Sequence, residues 1–330
     1  VRAFWLQDAQ KKIFGKKYNA SWEGDVNELY DSTNAIKFFN ASSDSSENIL
    51  LSWVERPVNS KVALLRTMFF RDNTWQNEGI VRSVLGEIKS PRVFMNDRES
   101  TILWIQVDKD ATKREIWSAS SIGGGWSDPV LVSNGDDDAF HPLIKSDRDG
   151  NIFALWVQKV VGQSAFLHMS KRSKGQGWGD VQVLPKTGDG KAFTPNLAFG
   201  PQGAVVIWPQ PSESGKIDIW TTSSVNGEWS IPENIDKSSK HCRKPKISID
   251  REGNVIAVWF ESPTTMTSTA TTNIGVNRRV GGKWGEAFLL EKGNGIADFP
   301  SVVFDQNQNA MVQWRQQTPA AIEARYFKFK

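Results

Sequence analysis

The chain has 330 residues, 39% of them hydrophobic, with 40 Lys and Arg against 37 Asp and Glu for a formal charge of +3. So slight a balance gives no reason to expect nucleic acid, no stretch approaches the apolar length of a membrane span, and the single cysteine, Cys242, excludes an internal disulfide or a cysteine-rich metal site. Apolar content is ample for a core, and the length admits two ordinary domains or one large all-β domain.

In chain order the sequence reads as short strands only, with no helical period. The segment at 2–6 (RAFWL) is strand-like from the start, so any signal peptide is expected to have been removed before it. Apolar runs then predict strands at about 49–54, 101–106, 152–158, 204–208, 255–260 and 310–315. They are apolar nearly throughout, which fits strands covered on both faces. Each ends at a tryptophan. With the N-terminal segment these are Trp5, Trp53, Trp104, Trp156, Trp208, Trp259 and Trp314, spaced by 48, 51, 52, 52, 51 and 55 residues. Six more tryptophans (Trp22, Trp75, Trp126, Trp178, Trp229, Trp284) fall in turns further along each unit. Trp117 and Trp220 share one place in a third strand.

The unit at 142–194 shows the pattern most fully. A strand opening at Pro142 reaches the turn DRDGN at 147–151, and a second strand ends at Trp156. A third strand, the turn GQGW at 175–178 and a short last strand follow. First strands are expected to begin after Pro91, Pro142, Pro195, Pro245 and Pro300, because proline lacks the N–H that a strand interior needs. A period near 50 built of four short strands indicates a β-propeller with one blade per repeat. One blade has two apolar faces and must be covered by a neighbour on each. The reading is a single all-β propeller domain over 1–330, with units at about 1–33, 34–90, 91–141, 142–194, 195–244, 245–299 and 300–330. Seven blades are favoured, with six as the alternative.

The turn between third and fourth strands, as in SSIGGGW at 120–126 and SSVNGEW at 223–229, resembles the Asp-box of sialidase-like propellers. Glycines, tryptophan and a following S-x-P match, while the aspartate is missing from most copies and Asp72 comes nearest to it. The likeness covers about 34–330 and extends to repeats of secreted bacterial propeller proteins. A sialidase likeness would imply an arginine triad for a substrate carboxylate, a Tyr/Glu nucleophile pair and an aspartate acid/base. The family's R-I-P motif is absent, Arg92 follows Pro91 in the reverse order, and no catalytic residue carries over.

Other chemistry is thin. His141, His168 and His241 show no metal-ligand spacing, and no metal or cofactor is expected. The acidic run at 136–138 reads as a solvated turn in a loop. The recurring tryptophans read as blade packing before sugar stacking. Sequence variety concentrates in the connections at 133–141, 186–194, 237–244, 263–272 and 291–298, which a propeller gathers on one face. Residues just before each proline (Ser90, His141, Thr194, Lys244, Phe299) are expected around the channel mouth there. The candidate ligand-binding residues are Asp138, His141, Thr194, Arg243, Lys244 and Asp298. The functional expectation is a secreted bacterial recognition module for a glycan or cell-surface protein. A sialidase-like glycoside hydrolase and a protein-interaction scaffold are the alternatives.

Overall fold

The computed structural model describes residues 2–7, 9–19, 21–76, 79–123, 125–134, 138–159, 162, 164–185, 191–263, 271–290, 295–317 and 321–328. They contain strands and turns and no helix. The chain falls into two compact units, Val1–Ile144 and Lys145–Lys330.

The first unit opens with a three-stranded sheet, β1 (Arg2–Gln7), β2 (Lys12–Asn19) and β3 (Ser21–Asp31), paired in that order. Next come β4 (Ile36–Ser43), β5 (Ile49–Glu55), β6 (Val62–Arg71), β7 (Thr74–Trp75), β8 (Gly79–Met95), β9 (Ser100–Asp108), β10 (Glu115–Ser121) and β11 (Val130–Leu131). These form one sheet in the order β11-β10-β9-β8-β6-β5-β4, with β7 paired to β6. The sequence predicts two repeat units here. The structure joins them through β8, whose first part pairs with β6 and whose second part pairs with β9. The pivot is Gly86, at φ 149°, where a Cβ would lie 2.1 Å from the Val107 carbonyl oxygen. Only glycine fits so close an approach.

The division between units falls inside β12 (Asp138–Ser146), which opens the sheet completed by β13 (Ile152–Lys159), β14 (Ala165–Arg172) and β15 (Gln182–Val183). The next sheet holds β16 (Asn196–Gly200), β17 (Gly203–Pro211), β18 (Ile217–Val225), β19 (Glu228–Trp229) and β20 (Glu233–Asn234). It is followed by β21 (His241–Ile249), β22 (Val255–Ser262), β23 (Asn273–Val280), β24 (Lys283–Trp284) and β25 (Phe288–Leu289). A three-stranded sheet closes the chain: β26 (Ala297–Phe304), β27 (Ala310–Gln316) and β28 (Ala321–Phe327). The strands described pair as antiparallel meanders, and the predicted second strands match β5, β9, β13, β17, β22 and β27 to within three residues.

Within each unit, cores lie between neighbouring sheets or repeats. Val205, Ile207 and Ile219 of one sheet share a cluster with Ile247, Val255 and Trp259 of the next. The tryptophans that end the second strands are buried: Trp53, Trp104, Trp156, Trp208, Trp259 and Trp314 are at most 6% exposed, while Trp5 is half-buried. Burying an indole leaves its N–H in want of an acceptor. The chain supplies one two residues on. Trp53 donates to Glu55 at 2.8 Å, Trp104 to Gln106 at 3.3 Å, Trp156 to Gln158 at 2.8 Å and Trp208 to Gln210 at 3.0 Å. The half-buried counterpart, Trp5 to Gln7, spans 3.3 Å. Residues i and i+2 share a strand face, so the spacing is what the pleat requires. Trp259 and Trp314 have Glu261 and Gln316 in the same places, yet their N–H groups have no partner among the described residues. Opposite Trp259 stands Gly275, where a Cβ would meet the indole nitrogen at 2.2 Å.

Four of the hairpins between first and second strands are held by one repeated clamp. Asp147 Oδ1 accepts from the N–H of Asp149 and Asn151, and its Oδ2 accepts from Asn151 Nδ2. Asp44 with Asn48, Asp250 with Asn254 and Asp305 with Asn309 repeat it. These carboxylates are consumed by the turn, so the hairpin reading of the DRDGN segment holds.

Truncating Trp156 removes a fully buried indole and the hydrogen bond it donates to Gln158. Trp156→Ala is expected to cost about 3–5 kcal/mol, read by chemical or thermal denaturation. An unfolding curve that overlays the parent's would contradict this assignment of the core.

Candidate functional site

The prolines do not open the first strands as the sequence predicts. Pro91, Pro142, Pro245 and Pro300 lie inside β8, β12, β21 and β26, and only Pro195 precedes its strand. The physical reason is a bulge. Pairing slips between Lys89 and Arg92, between Arg243 and Lys246, and between Asp298 and Ser301. A β-bulge leaves one residue out of the ladder, so a proline there forfeits no hydrogen bond. All five prolines are buried. The residue before four of them is left-handed: Ser90 at φ 49°, His141 at 52°, Lys244 at 53° and Phe299 at 51°. Phe38, at φ 54° beside the slip between Lys37 and Asn40, is the same device without a proline. Thr194, β-branched and ill suited to that region, is not among them. Non-glycine residues held this way cost of order 1–3 kcal/mol each and cluster at functional sites.

In the second unit two of these residues meet. The Lys244 ammonium stands 4.7 Å from the centroid of the Phe299 ring and 5.6 Å from that of Phe260. Arg315 reaches the same Phe299 ring at 4.7 Å. Beside it, Asp298 takes a two-pronged grip from Arg315, with Nε to Oδ1 at 2.8 Å and Nη2 to Oδ2 at 2.6 Å, and a third bond from Gln317 at 3.1 Å. The Arg315 hydrogen bond, opposed by burial and reinforced by Gln317, holds the Asp298 carboxyl below the usual carboxylate range. Phe299 itself is 58% exposed. Lys244 is exposed and has no ion-pair partner among the described residues. Arg243 turns to Ser262 Oγ at 3.0 Å, and Lys240 lies 3.7 Å from Glu261. That lysine faces the carboxylate that would otherwise serve Trp259.

Of the residues expected to bind ligand, the structure therefore brings Lys244 and Asp298 together, with Arg243 one residue away. Thr194 is exposed ahead of β16. Asp138 is corrected: it is not a loop residue but the first residue of β12, accepting from the Arg114 backbone at 2.8 Å and guanidinium at 3.2 Å. Asp136 and Asp137 lie outside the described residues, as do 186–190, 264–270 and 291–294 of the variable connections. His141 belongs to the first unit. It reaches solvent while standing among protein, and burial, then the charge of Arg92, push its pKa below the ordinary 6.5. Arg92 is itself partly buried and donates to the Pro91 carbonyl at 3.2 Å. Sequence reasoning missed Arg315, Gln317 and Phe260. Arg315 faces Asp298 only because β26 and β27 pair in one register. Among the described residues no group of His, Cys, Asp and Glu could hold a metal ion.

The chain is similar in structure to a protein of unknown function from Dyadobacter fermentans, with TM-score 0.57 and 11% identity over 89% of this chain and 94% of the other. It is also similar to the Penicillium chrysogenum α-L-arabinanase complexed with arabinobiose (TM-score 0.53, 11% identity, 90% and 98% covered). The GH93 α-L-arabinofuranosidase of Fusarium graminearum with arabinobiose gives TM-score 0.51 and 12% identity over 89% and 93%. The fold is a β-propeller. No protein-family model and no curated protein sequence matches the chain, so the likeness to propeller glycoside hydrolases is one of fold alone.

The His141 environment has a measurable sign. By NMR its imidazole is expected to titrate below pH 6.5 and to move upward in Arg92→Gln. The unfolded chain takes up this proton at higher pH than the folded one, so between the lowered value and 6.5 stability rises with pH. His141→Gln should flatten that slope, and a midpoint at or above 6.5 would refute the placement.

Proposed function

We propose that the protein is a carbohydrate-recognition module that takes a negatively charged glycan at the Lys244–Phe299–Arg315–Asp298 cluster. The observation that carries this is the exposed Phe299 ring, fixed by a left-handed backbone and flanked by two cations, one of them without an ion-pair partner among the described residues. A sugar's C–H face packs against the ring, and Lys244 meets a carboxylate or sulfate with a charge-assisted hydrogen bond. Arg315, already clamped by Asp298 and Gln317, loses little freedom when a ligand arrives, which favours affinity. The fold shared with enzymes solved with arabinobiose supports a saccharide over other charged ligands. Export from a bacterial cell belongs to the same proposal.

A second reading, glycoside hydrolysis, is supported by that fold likeness. Hydrolysis calls for two carboxyl groups roughly 5–10 Å apart, one of them a proton donor. Asp298 is kept ionised by Arg315, which suits a fixed acceptor or a base rather than an acid. Aryl sialosides and aryl α-L-arabinofuranosides are expected to stay intact. Turnover that Asp298→Asn abolishes would establish the hydrolase instead.

The binding reading is tested on an array of sulfated, carboxylated and neutral glycans. Charged members should be retained, less so at high salt, and Lys244→Ala should weaken them about ten- to a hundredfold. Phe299→Ala should weaken them too, both variants melting near the parent. Retention of charged glycans unchanged by both substitutions would overturn the proposal.

A further inference from the structure

We infer that the cleft between the sheet of β13–β15 and the sheet of β16–β20, on the hairpin side of the second unit, is a binding site for a neutral oligosaccharide. It encloses about 620 Å³, within the range of small-ligand sites. The next cleft round, between the sheets of β16–β20 and β21–β25, has about 30 Å³. The two are built from equivalent residues, so the difference has a local cause.

In the closed cleft Ile249 sits so near Gly200 that a Cβ there would be 2.8 Å from the Ile249 side chain. Arg279 fills the remainder, bonded to the Gly282 carbonyl at 3.0 Å and 3.5 Å from Ser223 Oγ. Strand register identifies its counterpart one sheet earlier. Arg279 pairs with Val255, and the residue in that place on β18, just beyond the Val205–Ser223 pair, is Ser224. Ser224 is short and turns its hydroxyl to the Ala204 N–H at 3.1 Å. Where the neighbouring cleft has an arginine plug, this one has a serine and stays open.

The open cleft has an aromatic floor and a polar rim. Phe153 and Phe199 lie 4.6 Å apart between centroids, and Trp229 lines the same space. At the rim Asp147, Asp149 and Asp180 stand beside Arg148 and Lys171, so both signs are interspersed and the excess is a single negative charge, with Asp147 already bonded within its own turn. Side-chain amides at Gln182 and Asn226 add donors and acceptors together. A ligand with one apolar face, many hydroxyls and no net charge answers that lining. The site is independent of the Lys244 cluster and of the reading given to it.

The test is calorimetric titration of the whole chain with neutral di- and trisaccharides of pentoses and hexoses, followed also by indole fluorescence. At least one should bind with a dissociation constant of about 10 mM or tighter. Ser224→Arg, which copies the plug of the next cleft, should weaken it tenfold or more, and Lys244→Ala should leave it unchanged. Asp180→Ala, at an exposed rim position, checks the site if Ser224→Arg does not fold, and should weaken binding severalfold. No binding by any of these sugars, full binding in the plugged variant, or loss on Lys244→Ala would each overturn the inference. The last would leave the Lys244 cluster as the sugar site.

Discussion

A buried indole carries one polar atom into the space between sheets, and at Trp53, Trp104, Trp156 and Trp208 the same strand answers it two residues on. Tryptophan fills the space between sheets with the largest side chain available, and glutamine or glutamate at i+2 meets its one polar atom. Leu or Val at Gln158 would keep the volume and strand the N–H, which costs more than a neutral swap of both partners would. The pair therefore fixes two things together, the rotamer of the indole and the identity of a buried polar residue. At those four strands the sheets stack with the indole N–H satisfied, and the turns and bulges are arranged on top of that order.

The rest of the site is what the strand ladder gives up. At Lys244 and Phe299 the backbone leaves its pairing, enters the left-handed region and projects a large side chain outward while the following proline stays buried. Two such departures on neighbouring sheets place an ammonium against a phenyl ring. The same two sheets hold Trp259 and Trp314, whose N–H groups lack partners among the described residues, and in one of them Glu261 faces Lys240 instead. Regular packing and local irregularity thus divide the labour, with chemistry gathered where the repeat is broken.

Much of the architecture is legible in the sequence because packing repeats. Trp53, Trp104, Trp156, Trp208, Trp259 and Trp314 announce their strands by spacing alone, and the Asp–Asn turns announce the hairpins. The glutamine or glutamate after each tryptophan was equally visible, but its purpose depends on the pleat and on burial. The prolines misled, since lack of an N–H suits a bulge inside a strand as well as a strand's first residue. Asp138 misled because an acidic run reads as loop until Arg114 is known to face it. Arg315 was out of reach. Its meeting with Asp298 depends on how two strands pair across a bulge, and nothing local to either residue encodes that.

The unbroken strand β8 has a mechanical meaning. One extended backbone serves β6 with its first part and β9 with its second. Pulling on either repeat loads the other directly through Gly86 and the bulge between Lys89 and Arg92. The two repeats are therefore expected to open and exchange their amide hydrogens as one cooperative body, where a solenoid-like chain would shed repeats singly.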